Sequence, residues 1–438
     1  MAASRQESKS ILRSPDDALV ALSVAGRVVL LLLVVGWSVW FSPFDDLLDR
    51  SGTPLGADYV MLYVSGETLL AGEADKLYDD RANQVRTSAH FPTMDSNQSW
   101  PFRYPPVTAW LMKGLARIDF AFSFAIFASI CATCVGIAIW MLFRNLGIEN
   151  RRIAKLAFWS FAGWPIVGET LLGGQSSPVA LCLVMAAVIA LRANRDVLAG
   201  ALLGLCIYKP NIVGVFILGT LVARPKTFWG MLSVAIPAGA ISLHATGFEG
   251  VQRYIELASS LATSAWNLET PFRKVHGLAP YFDLVIAGRG KLLAFLCGIP
   301  LAFWIGRQWR FATGTRWWLA FSSLLTANAL FNPYVPIYDL LLIGPACVAT
   351  VYYLVEKNRE RLSEVLPSII AMVGIWYLGP HLSQTLATSI RIQLFPLALL
   401  CVLFVQLREL FLTAKATPAT SAHQRTSIRA DLANAPAV

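Results

Sequence analysis

Three charged residues stand where an apolar sequence has least use for them: Asp58, Lys209 and Asp339. Asp58 lies in Gly56-Ala57-Asp58-Tyr59, ahead of an apolar-periodic stretch from Val60 to Ala71 that carries Tyr63, Gly66 and Glu67. A carboxylate at the mouth of a cavity can take a proton from an acceptor hydroxyl. Standing just before a helix, it suits the role of N-cap equally well. Lys209 sits in Tyr208-Lys209-Pro210-Asn211, where the proline lacks an N–H and disfavours helix at the lysine. Phe102-Arg103-Tyr104-Pro105-Pro106 puts a guanidinium beside a phenol, a pair that can hold a phosphate or anchor the chain at the lipid interface. Gly173-Gly174-Gln175-Ser176-Ser177-Pro178 is a tight turn whose small residues allow a ligand close to the backbone, or simply turn the chain. Glu169, one helical turn earlier, is ionisable near the end of an apolar span. Asn332-Pro333-Tyr334-Val335-Pro336-Ile337-Tyr338-Asp339 opens another apolar run. Asp339 is costly there unless it faces protein or water, and suits either a substrate hydroxyl or a helix cap. His90 and His381 carry little signal. No Walker A, HExxH, GxSxG or paired CxxC motif occurs, which disfavours an ATP-driven pump, a zincin or a serine hydrolase.

The elements that must position these groups are membrane helices. Of 438 residues, 56% are hydrophobic and only 14% charged, with a mean hydropathy of +0.56; a soluble domain carries roughly a quarter charged residues. Apolar runs of about 18 residues or more match the thickness of a bilayer's hydrocarbon. Backbone in that layer must satisfy its own hydrogen bonds, so helices follow. The 14 Trp and 12 Tyr suit rings at headgroup depth. The net charge of +9 is spread in short clusters between apolar runs, which reads as topology and not as nucleic-acid binding. The seven cysteines lie inside apolar runs as small core-facing residues. Cys131 and Cys134 have CxxC spacing without a second pair, so neither a metal site nor a disulfide is expected.

Arg5, Lys9 and Arg13 place a tail, residues 1–17, in the cytoplasm. The run from Ala18 to Phe41 is longer than a signal-peptide core and has no small-residue cleavage site after it, so it is a retained first span. The membrane domain then covers 18–413, with outer loops at 42–104 and 246–290. Further spans are expected near 120–143, 156–171, 178–192, 228–245, 292–306, 317–331, 336–355, 364–380 and 390–412. Inner clusters lie at Arg144 with Arg151, Arg152 and Lys155, at Arg192 with Arg195, and at Arg224 with Lys226. Residues Gln252–Ser264 suggest a helix lying on the surface. Shorter outer turns are Gly173–Ser177, Asn332–Asp339 and Gly379–Arg391. The polar stretch 414–438 reads as a disordered cytoplasmic tail. Val197–Ala223 has basic residues at both ends, so it must enter the membrane and return. Each half is about 12 residues, roughly 18 Å of helix, too short to span. That places Lys209 at depth, unless it snorkels from one long tilted helix. The expected fold is an all-α polytopic membrane protein with about 10–13 membrane helices, short broken ones included. Every chemical candidate falls on the outer side.

The ordered series Gly56-Ala57-Asp58-Tyr59…Tyr63…Gly66, Phe102-Arg103-Tyr104-Pro105-Pro106, Gly174-Gln175-Ser176, Leu198-Ala199-Gly200…Lys209-Pro210 and Tyr334…Tyr338-Asp339 resembles glycosyltransferase family 87. The resemblance covers most of the membrane core, from about Asp58 to Asp339, and implies the multi-spanning GT-C fold. It also implies a transferase that takes a sugar, typically mannose, from a polyprenyl-phosphate donor on the extracytoplasmic face of the plasma (inner) membrane. Lipid or glycan is the expected acceptor. In such enzymes an acid in the first outer loop acts as base or metal partner, and Asp58 is the matching position. Many relatives carry a second acid beside it where this chain has Tyr59, so the cofactor is left open and no metal ligand is assigned. A Lys-Pro break similar to Lys209-Pro210 is associated with the lipid phosphate in related lipid-sugar transferases. The reaction this suggests uses Asp58 as base, Lys209, Arg103 and Tyr104 at the donor phosphate, and Gln175, Glu169, Tyr334, Tyr338 and Asp339 around the substrates. The rival reading is a transporter or flippase for a lipid-linked or small polar substrate, which would share the broken helices and intramembrane charges; no repeat halves support it. A third reading, an inactive lipid-binding scaffold, would keep Lys209 and make Asp58 dispensable.

Overall fold

The structure, a computed structural model, describes residues 15–40, 47–49, 52–94, 100–147, 158–263, 274–390 and 392–415. The expected topology signals Arg5, Lys9, Arg13, Arg151, Arg152 and Lys155 lie outside the described residues, as does the tail from 416 on. Among the described residues there is no strand, and one isolated bridge joins Leu48 to Pro54.

Helix α1 (Pro15–Trp40) leads to a layer of short helices, α2 (Ala57–Leu70), α3 (Asp80–His90) and α4 (Pro106–Met112). Asp79 caps α3 by accepting from the N–H groups of Arg81 and Ala82, and Pro106 begins α4 where a missing N–H costs nothing. The chain continues through α5 (Phe120–Asn145), α6 (Pro165–Leu172), α7 (Ser177–Arg192), α8 (Asp196–Gly204), α9 (Gly214–Ala223), α10 (Thr227–Thr263) and α11 (Ala279–Val285). It ends with α12 (Gly290–Arg310), α13 (Gly314–Phe331), α14 (Ile343–Lys357), α15 (Leu362–Ile390) and α16 (Phe395–Lys415). Six described helices are long and apolar enough to cross a bilayer, or seven if α6 and α7, bent by 119°, make one broken span. Shorter apolar helices run over Ser23–Gly36, Asp196–Tyr208 and Gly214–Ala223. The chain is an all-α polytopic membrane protein.

Three expected boundaries change. The span near 156–171 is interrupted at Gly163 and Trp164, and its membrane-directed part is the eight-residue α6, because Pro165 starts a new helix there. The helix near 228–245 runs on to Thr263 through a kink at Gly247, whose φ of 67° breaks the helical path. The expected turn Gly379–Arg391 is helical through Ile390, with Arg391 itself outside the described residues. Pro380, Ser383 and Ala387 lie buried along one face of that helix, and this periodic packing keeps it helical past the proline.

Residues 197–223 form two short helices that double back. At one end of the bundle Arg192 donates to the Asn145 carbonyl at 2.8 Å, and Arg224 donates to Asn194 Oδ1 at 3.2 Å and pairs with Asp196 at 3.8 Å. The ends of α5, α7, α8 and α9 therefore meet at this basic end, and 197–223 leaves and returns to it. Close approach holds α8 to α10: a Cβ on Gly200 would lie 1.9 Å from the Thr227 carbonyl oxygen. Helix α7 has 16 residues, about 24 Å, less than the roughly 30 Å hydrocarbon core. The Lys209 break packs against its start at Ser177. Helix α13 runs through the centre, with every residue from Trp317 to Leu330 buried.

Candidate active site

The site forms where five separate pieces of chain converge: the start of α2, the segment before α4, the α6–α7 turn, the Lys209 break and the segment before α14. Helix α2 begins after Gly56, which takes a left-handed φ of 63° and serves as N-cap position without any side-chain capping bond. Asp58 therefore sits inside the first turn, and its carboxylate is free of the capping role that its sequence context also allowed. Its backbone N–H donates to the Gly173 carbonyl at 3.1 Å, and Gln175 Nε2 donates to Asp58 Oδ2. Gly174 makes this contact possible: its φ is +70°, and a Cβ there would lie 2.6 Å from Tyr59 Cβ.

Tyr59 points the other way. It is fully buried, its hydroxyl pairs with Ser123 Oγ, and its ring stacks on Phe127 at 4.6 Å. An acid at position 59 would face the aromatic packing of α5 and not the site.

The second carboxylate comes from Asp339. Ser177 Oγ donates to Asp339 Oδ1 at 2.6 Å, and Lys209 Nζ donates to the same oxygen at 2.5 Å and to Ser177 Oγ at 3.2 Å. The side chains of Lys209 and Asp339 are 7% and 3% exposed, so the ion pair is removed from water. The ammonium also lies over the Tyr338 ring, 4.8 Å from its centroid. Asp339 makes no helix cap; its N–H donates to the Pro336 carbonyl, and its Oδ1 is the oxygen that holds the pair.

Asp58, Tyr104 and Tyr334 share the electrostatic environment of this pair. Burial pushes the Asp58 carboxyl up to about 6; the Lys209 ammonium opposes this and the Asp339 charge reinforces it. Burial likewise raises the Tyr104 phenol, which stays neutral. Tyr208 donates to the Ser176 carbonyl at 2.7 Å, tying the break to the α6–α7 turn. Tyr334 is 40% exposed.

Gln175, Tyr104, Tyr334, Tyr338, Asp339, Asp58 and Lys209 are thus brought together. Arg103 and Glu169 are held elsewhere: Arg103 pairs with Asp80 at 2.9 Å in an exposed contact, and Glu169 pairs with His381 at 2.8 Å. Asp58 and Asp339 are the two carboxylates a divalent cation would meet here; among the described residues no group of three or more His, Cys, Asp or Glu is placed to hold a metal ion.

Three contributors carried no role of their own in the sequence reading. Ser177 joins both members of the ion pair. Asn328, 4% exposed within α13, bridges the broken backbone: its Nδ2 donates to the Ile212 carbonyl at 2.8 Å, and its Oδ1 accepts from the Phe216 N–H at 3.1 Å. Asn332, one turn later, donates to the Asn211 carbonyl. Buried non-helical backbone persists where its polar groups find partners, and these amides supply them next to Lys209. A lone amide in an apolar helix was the available signal. Asn328→Leu is expected to strand both backbone groups, costing about 2–5 kcal/mol, with a lower thermal midpoint in detergent and at least tenfold slower turnover.

Glycosyltransferase family 87 matches residues 102–335, more than half of the chain. The match includes Arg103, Tyr104, Glu169, Gln175, Lys209, Asn328 and Tyr334; Asp58 lies before it and Asp339 just after it. No curated protein and no solved structure matches the chain. With its helical membrane architecture and the extent of that match, the chain belongs to glycosyltransferase family 87, a family of membrane glycosyltransferases.

Proposed function

We propose that this protein moves a hexose, mannose as the first candidate, from a polyprenyl-phosphate donor to a hydroxyl of a lipid or glycan acceptor at the extracytoplasmic face of the plasma membrane. The observation that carries the reading is a buried ammonium, Lys209, in the same cluster as a carboxyl, Asp58, whose proton affinity is raised toward neutrality. The acceptor oxygen attacks the anomeric carbon as the bond to the phosphate oxygen breaks, which inverts the centre in one displacement. The acceptor's proton passes to Asp58, and the bonding pair leaves with the lipid phosphate, whose growing charge Lys209 meets. Fixed positive charge aimed at a developing anion in a water-poor site is commonly the largest catalytic contribution. Tyr104 and Gln175 shape the pocket, and Tyr334, Tyr338 and Asp339 position sugar or acceptor. Arg103 would reach the phosphate only by leaving its exposed pair with Asp80, and Glu169 only by leaving His381.

The test is transfer by the purified chain in proteoliposomes containing polyprenyl-phosphate mannose and membrane lipid extract, with products followed by mass spectrometry. A new glycosidic product supports the proposal. Movement of the lipid-linked sugar across the bilayer without any covalent product favours the transporter reading instead. The base must be ionised to act, so turnover should fall as pH drops through about 6 and level off above it. A flat profile from pH 5 to 8 would remove Asp58 from the proton transfer.

A further inference from the structure

Lys209 is not a vacant cation waiting for phosphate. Its ammonium has three N–H donors; one lies on Asp339 Oδ1 and one on Ser177 Oγ, and the group rests against the Tyr338 ring. With Asp58 and Asp339 ionised, the cluster sets two negative charges against one buried ammonium, and the exposed ammonium of Lys274 also acts on Asp58. A phosphate added to the intact pair would place three anionic groups around one buried ammonium. In surroundings poor in water that repulsion is weakly screened.

We propose that Asp339 is a built-in counter-ion that competes with the lipid phosphate for Lys209, so that the phosphate binds by displacing the carboxylate and the spent carrier leaves when the carboxylate returns. The inference rests on the lipid-phosphate reading above and adds a release step to it. Ser177 makes the exchange feasible. It donates to Asp339 at 2.6 Å independently of the lysine, so the carboxylate keeps a partner after the ammonium turns away. Asp339 Oδ2 is buried with no hydrogen-bond partner among the described residues, which leaves an acceptor for a substrate hydroxyl while the donor is bound. Lys209, a point charge on a flexible stem, can swing between two anions without the planar matching a guanidinium requires.

The experiment measures binding of farnesyl phosphate to the purified full-length protein in detergent, alongside release of the lipid product after one turnover. Asp339→Asn keeps the shape and removes the competing charge. It should bind farnesyl phosphate about tenfold more tightly, the order expected for removing a charge-assisted contact, and release it correspondingly more slowly. Lys209→Gln should lose the binding. Asp339→Ser carries the same test if Asp339→Asn does not fold. Lysine-dependent binding that Asp339→Asn leaves equal or weaker overturns the counter-ion role and leaves the lipid-phosphate reading standing. Absence of binding in the wild-type protein and in Asp339→Asn alike overturns both.

Discussion

Asp58→Asn should abolish most sugar transfer while leaving the protein folded. The asparagine oxygen can still accept from Gln175, and the N–H of residue 58 still reaches the Gly173 carbonyl, so the local contacts survive. The group that receives the acceptor's proton is gone. General-base catalysis contributes typically 10²–10⁴-fold, and a loss of roughly that size is expected in kcat. The measurement is consumption of lipid-linked sugar by the purified variant, with thermal unfolding in detergent as the control for folding. Turnover near wild type would dismiss Asp58 as base and turn attention to the scaffold reading. The size of the effect also bears on Tyr59: a neighbouring acid could have shared the role, but that position is committed to Ser123 and the α5 rings.

Lys209→Met should damage stability and activity together. It leaves the Asp339 carboxyl buried with only Ser177 as partner. Removing one partner of a buried ion pair costs about 3–5 kcal/mol, because the remaining charge is uncompensated. The double variant Lys209→Met with Asp339→Leu removes both charges and should recover most of the thermal midpoint. It should not recover transfer, since the phosphate would still lack its cation. Comparing the single and double variants in one detergent separates the two contributions. A single variant as stable as wild type would mean the pair is open to water.

Much of this was legible before any coordinates. The composition and the length of the apolar runs are enough to require membrane helices. The basic residues flanking 197–223, read with the proline after Lys209, required a chain that enters and returns, and the contacts of Arg192 and Arg224 place both ends together. Gln175, Tyr338 and Asp339 were singled out as polar groups at the ends of apolar segments, and they meet Asp58 and Lys209. The same reasoning carried Arg103 and Glu169 along with them. A side chain's cost in hydrocarbon says that it needs a partner and not which one; Asp80 and His381 supplied partners outside the cluster. The helical run past Pro380 and the break before α6 were missed because hydropathy averages over a window, while proline and packing act at single residues.

What the chain alone determined is its solvent and its breaks: transfer free energy and proline sterics are local, so each segment declares them without its neighbours. The tertiary structure decided which acid is paired and which is poised. Tyr59 turned inward, Asp339 was delivered to Lys209, and Asn328 was spent on the backbone beside it. Those outcomes depend on how each helix is rotated and how deep it sits. Rotation and depth are set by many small contacts summed across the bundle, such as Gly200 against Thr227 and Gly174 against Tyr59, and no single segment contains that sum.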